Sequence, residues 1–143
     1  MKNLFTVILL ACLISTGCSS DSSNGEIDEA TTQAVLDHHW ETFVNNDLDG
    51  VMEDYTNESI LITPNGTYIG LEEIRGNFVN AFKAFPTQVA ELSLNTSLAV
   101  KDVGYILWEA ETPIFTLTYA TDTFIIRNGK IIRQTFAGVR VEK

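Results

Sequence analysis

Apolar and polar residues alternate most clearly between Thr121 and Val141, where two β-rich runs flank Asn128-Gly129. That dipeptide suits the positive φ values of a two-residue type I′ turn. The spacing predicts a hairpin with Arg127 opposite Lys130, Ile126 opposite Ile131, Phe124 opposite Arg133 and Asp122 opposite Thr135. Side chains alternate along a strand. One face therefore takes Asp122, Phe124, Ile126, Ile131, Arg133 and Thr135, and the other takes Ile125, Arg127, Lys130, Ile132, Gln134 and Phe136. Both faces are apolar enough to need cover. Asp122 is the exception on its face, and Arg133 is the diagonal neighbour expected to pair with it.

Upstream the period changes. Val35, Leu36, His39, Trp40, Phe43 and Val44 recur at helical spacing, and Asp28 is placed to cap that helix, which runs to about Asn46. Asp47 caps a shorter helix through Leu48, Val51, Met52 and Tyr55. Ser59 to Thr63 reads as a strand, Pro64-Asn65-Gly66 as a turn and Thr67 to Ile69 as the return. A third helix spans Leu71 to Phe82, with Leu71, Ile74, Phe78 and Phe82 on one face, and Phe85-Pro86 stops it. From Gln88 to Val141 strand follows strand, with turns at Asp102-Val103-Gly104 and a break at Pro113. The order predicts an α+β fold, helices packed on one face of a bent antiparallel sheet.

Before this domain, Lys2, the apolar run Leu4 through Ile14 and the small residues Ser15, Thr16 and Gly17 read as an export signal. The run is too short to span a bilayer. Gly17-Cys18 and the Ser/Asp/Asn-rich stretch after it resemble a bacterial lipoprotein signal and tether. The resemblance implies lipidation of Cys18 and a place in the cell envelope; simple secretion is the alternative. The division expected is signal 1–17, tether 18–26 and domain 27–143. Both cysteines, Cys12 and Cys18, lie in the signal region, so the domain has neither a disulfide nor a catalytic thiol. A formal net charge of −10 argues against nucleic acid and against electrostatic attachment to anionic lipid, leaving the lipid anchor as the one membrane contact.

Phe43, the run Asn46-Asp47-Leu48-Asp49-Gly50, Tyr55, Ser59, Thr63-Pro64-Asn65-Gly66, Gly70-Leu71-Glu72-Glu73-Ile74-Arg75 and Phe78 together resemble the nuclear-transport-factor-2-like superfamily. The nearest branches are the SnoaL-like domains and the ketosteroid isomerases. The resemblance covers residues 28 to 141 and implies a cone, in which a curved antiparallel sheet and three helices enclose a pocket. The isomerases use a helix-one Tyr and a protonated Asp as oxyanion donors and an Asp base before a Pro. Carried over, the Tyr position falls on His39, the base position on Thr63 and the Asp donor on Asp122. Thr cannot act as a base near neutral pH, so the isomerase reaction in that form is not expected.

The pocket expected from the resemblance is lined by Trp40, Phe43, Tyr55, Thr63, Phe78, Phe82, Trp108, Phe124 and Thr135, and suits a small apolar or amphipathic molecule bound without turnover. An enzyme using a His39–Asp122 acid–base pair, as isomerase, lyase or hydrolase, is the alternative. No cofactor is called for. His38-His39 is no metal motif, because ligands one residue apart on a helix diverge. The apolar Ile125, Ile132 and Phe136 face of the hairpin suits a homodimer interface.

Overall fold

The computed structural model describes residues 27–143; the export signal, Cys18 and the tether lie outside the described residues. Within them, α1 (Glu29–Val44), α2 (Leu48–Glu53), β1 (Ile60–Thr63), β2 (Gly66–Ile69) and α3 (Gly70–Ala84) precede four long strands. These are β3 (Glu91–Val100), β4 (Val103–Glu111), β5 (Phe115–Arg127) and β6 (Lys130–Glu142). Local chemistry accounts for the helix starts. The Asp28 carboxylate accepts from the Ala30 and Thr31 amides, and that of Asp47 from Gly50. Helix α3 instead starts from Gly70 at φ 76°, and the Glu73 carboxylate reaches back to the Ile69 amide at 2.7 Å.

The architecture is α+β, with one six-stranded sheet in the order β2-β1-β6-β5-β4-β3. The sheet is mixed rather than wholly antiparallel: β1 runs parallel to β6, Ile60 beside Arg133 and Ile62 beside Thr135. The core lies between sheet and helices, where Leu36 of α1, Ile74 and Phe78 of α3, and Ile106, Phe124, Ile126 and Ile131 of the sheet are buried.

The β5–β6 hairpin turns at Asn128-Gly129, both at positive φ, and pairs Arg127 with Lys130 and Ile126 with Ile131 as the spacing predicts. Beyond that the register slips by one. Ile125 faces Arg133, Phe124 faces Gln134 and Asp122 faces Phe136, leaving Ile132 as an extra residue in β6. Beside the slip, β6 is pinned from its other edge. The Ile131 amide donates to the Asp54 carbonyl at 2.8 Å, and its carbonyl accepts from Ser59 Oγ at 2.5 Å, so the segment joining α2 to β1 claims the β6 backbone there. Parity along the rest of β6 reverses. Gln134 and Phe136 turn inward, while Arg133 and Thr135 are exposed. The Asp122–Arg133 pair therefore does not form; the Arg133 guanidinium donates to the Glu58 and Ile132 carbonyls instead. Phe136 likewise leaves the face expected to meet a second subunit and stacks obliquely near Trp108, centroids 6.0 Å apart.

Candidate functional site

A cavity of about 490 Å³ opens between the inner face of the sheet and helices α1 and α3. Its walls are aromatic: Trp40 and Phe43 from α1, Phe78 from α3, and Trp108, Phe115 and Phe136 from the strands. Edge-to-face contacts, such as Trp40 with Trp108 at 5.9 Å and Phe43 with Trp108 at 5.7 Å, fix these rings against one another. The mouth is marked by the exposed residues Pro64, Asn65, Asn80, Gly138 and Arg140.

At the inner end sit Asp122 and His39, 5% and 4% exposed. The bulge in β6 supplies the partner of Asp122. Gln134 Nε2 donates to Oδ1 at 2.8 Å, while Trp108 Nε1 donates to Oδ2 at 2.9 Å. The Gln134 amide is oriented in turn by the buried Tyr55 hydroxyl, which donates to its Oε1. Burial pushes the Asp122 carboxyl above its ordinary value; the two donors, and then the nearby His39, pull the other way without cancelling it. Tyr55 is pushed well up by its own burial, with the charges of Asp122 and Asp54 adding to the effect.

His39 and Asp122 share the cavity but are not hydrogen-bonded to each other. The partner of His39 is Asp54, whose Oδ2 lies 3.0 Å from Nδ1. The same carboxylate holds His38, with Oδ1 2.8 Å from Nδ1. Adjacent positions on a helix diverge, but Asp54, 4% exposed at the end of α2, sits under both rings and presents one oxygen to each. An ionised carboxylate only accepts, so each Nδ1 carries the hydrogen and each Nε2 is left as the acceptor of the neutral ring. Nε2 of His39 has no protein partner among the described residues, yet it is not one of their buried unpaired atoms, so it opens to the cavity. The ring itself packs edge-on to Phe124 at 5.2 Å and to Tyr55 and Phe78 at 5.8 Å.

Of the residues expected from the sequence, His39, Trp40, Phe43, Thr63, Phe78, Trp108 and Asp122 line the cavity. Tyr55 and Phe124 are buried behind its wall. Phe82 packs on Phe43 and Phe78 outside the lining, and Thr135 is on the outer face because of the register slip. Sequence reasoning missed Asp54 and Gln134. Asp54 carried a faint signal, an acidic residue just past a helix among apolar neighbours. Gln134 had none, since its inward turn depends on the bulge. Among the described residues no cluster of three or more His, Cys, Asp or Glu is arranged to hold a metal ion.

No family model matches the chain, and no curated protein matches it. Solved structures do. A SnoaL-like protein from Burkholderia thailandensis E264 is 15% identical, with 80% of this chain and 98% of that one aligned at a TM-score of 0.65. A ketosteroid isomerase candidate from Kribbella flavida DSM 17836 is 12% identical over 82% and 84% of the two chains, TM-score 0.67. A de novo designed protein with a curved β-sheet aligns equally well, at 13% identity over 78% and 88%, TM-score 0.67. A designed chain in this company underlines that the architecture by itself carries no activity. At these identities the likeness establishes the fold, which this chain shares with SnoaL-like, NTF2-like and ketosteroid-isomerase-like proteins.

Proposed function

We propose that this domain binds a small apolar or amphipathic molecule in the cavity between sheet and helices, in the manner of a cone-shaped ligand-binding fold. The observation that carries this reading is the pairing of an aromatic wall with two positioned polar groups, Asp122 and His39 Nε2, at the closed end. Asp122 and His39 are each held from behind, so a ligand meets fixed partners rather than mobile ones. Binding without turnover is favoured because Thr63 stands where the isomerases carry their base. The export pattern at the N-terminus would place such a carrier in the bacterial cell envelope, anchored through Cys18.

The reading is tested with the neutral fluorophore N-phenyl-1-naphthylamine. Saturable one-site binding is expected, and Ala81→Phe, which projects a ring into the cavity from α3, should weaken it at least tenfold while leaving the fold intact. No saturable binding, or binding indifferent to Ala81→Phe, would overturn it.

A second reading rests on the Asp54–His39 contact. A carboxylate that fixes an imidazole tautomer and leaves Nε2 facing an aromatic-walled cavity is an arrangement suited to general base catalysis. On that reading Asp122 polarises the substrate and His39 moves the proton. Loss of turnover with retained binding in Asp54→Asn would favour it.

A further inference from the structure

The lining carries polar side chains on several elements, Thr63, Tyr68 and Asn77 among them, but its guanidinium and its buried titratable groups stand at opposite ends. His39 and Asp122 occupy the inner end. Along β6, Gln134, Phe136, Gly138 and Arg140 all contribute to the lining, which carries the cavity six residues toward the mouth, about 20 Å of extended strand. Between the two ends the wall is mostly aromatic and aliphatic. Among the described residues Arg140 is the only Lys or Arg side chain in the lining. Its guanidinium carbon lies over Phe115, 3.8 Å from the ring centroid, which holds it at the mouth. It pairs with Glu142 at two points, Nε to Oε1 at 2.5 Å and Nη2 to Oε2 at 3.3 Å, between side chains 46% and 68% exposed, where solvent screens the attraction. A ligand anion at the mouth competes with Glu142 for that guanidinium.

The inner end asks for a different group. His39 Nε2 is an acceptor in the neutral ring. Asp122 already receives one donor on each oxygen, so toward the cavity it accepts when ionised and donates when protonated. A hydroxyl both donates and accepts, so it satisfies the pair whenever one of the two groups carries a proton toward the cavity. A carboxylate there would meet Asp122, and a bare methyl would leave His39 Nε2 unpaired, a costly outcome for a buried polar atom.

From this bipolar arrangement we propose that the occupant is an amphipathic hydroxy acid, with its hydroxyl between His39 and Asp122, its apolar body along the aromatic wall and its carboxylate on Arg140. The proposal rests on the small-molecule reading of the same cavity and narrows it to a ligand class.

The two tryptophans of the chain, Trp40 and Trp108, both line the cavity, so intrinsic fluorescence reports its occupancy directly. The probes are ω-hydroxy fatty acids of ten to sixteen carbons, the parent fatty acids, and the 1-alkanols of the same lengths, all below their aggregation concentrations. One chain length of hydroxy acid should bind best. It should exceed both the fatty acid and the alkanol of that length by roughly tenfold or more, the return from one good polar contact at each end. Arg140→Gln, at an exposed position, should erase the advantage over the alkanol, with saturable alkanol binding still measurable. Equal binding of all three classes, or an advantage that survives Arg140→Gln, would overturn the hydroxy-acid assignment while leaving the binding reading intact. Failure of every probe, and of N-phenyl-1-naphthylamine with them, would defeat both.

Discussion

Replacing Asp122 with Asn tests the inner end of the cavity atom by atom. In the wild type, Trp108 and Gln134 donate to the two carboxylate oxygens, and Tyr55 donates to Gln134. Asn can keep the Trp108 bond through its oxygen, but its amide then faces the amide of Gln134. Turning Gln134 over restores that contact and obliges the Tyr55 hydroxyl to accept instead of donate, which strands its hydrogen in a fully buried site. That loss should cost about 1–3 kcal/mol. Against it stands the burial of Asp122, which raises the folded-state pKa above the ordinary 3.8. The sign follows from proton counting. Between 3.8 and the raised value the unfolded chain has lost the proton that the native protein still holds, so stability falls as pH rises, at up to ~1.4 kcal/mol per pH unit. Above the raised value the penalty is constant. The surface carboxylates of Asp28, Glu111 and Glu142, all held below their ordinary values, act in the opposite sense at acid pH but are common to both proteins and cancel in the difference. Urea melts of both proteins from pH 3.5 to 8 should therefore show a wild-type advantage that is largest at the acid end and shrinks as pH rises. A difference that is flat with pH, or that grows with pH, would refute the reasoning.

Asp54→Asn leaves one of the two imidazole Nδ1–H groups facing an amide donor; it should cost about 2–3 kcal/mol in urea melts and force one histidine into the other tautomer, read from long-range ¹H–¹⁵N correlations. Gly104→Ala places a Cβ 2.6 Å from Leu36 Cδ2 in the core, and about 1–3 kcal/mol of destabilisation by thermal or urea melts is expected. The homodimer expected from the sequence now rests on an outer sheet face that leaves Tyr119, Val139 and Val141 exposed; the wild type should sediment as a dimer and Val139→Glu as a folded monomer, and a wild-type monomer at high concentration would refute it.

The helices were legible because their signals are local. Asp28 and Asp47 cap through side chains within three residues, and the spacing of Val35, Leu36 and His39 fixes the buried stripe of α1. The hairpin turn was legible for the same reason, since Asn128-Gly129 encodes its own geometry. What the sequence could not show is whatever depends on contacts distant along the chain. The Ile132 bulge lies beside contacts of this kind: Asp54 and Ser59, more than seventy residues away in each case, bond the backbone of Ile131. That single extra residue exchanges Thr135 for Gln134 beside Asp122 and turns Phe136 into the cavity. The parallel pairing of β1 with β6 escaped for the same reason. In the site, the alternation of β5 placed Asp122 inward and the helical period did so for His39. Their actual partners come from the end of α2 and from the far side of the bulge, where periodicity carries no information.

His39 joins the two halves of the site, its Nδ1 held by Asp54 and its Nε2 open to the cavity. Long-range ¹H–¹⁵N correlation of the histidine rings, recorded while 1-dodecanol is titrated into the protein, examines both halves at once. The neutral ring of His39 should carry its hydrogen on Nδ1, and the Nε2 resonance should move as the alcohol binds while that of His38, on the far side of Asp54, holds still. A neutral ring protonated at Nε2, or alcohol binding that leaves His39 Nε2 unmoved, would contradict the site as described.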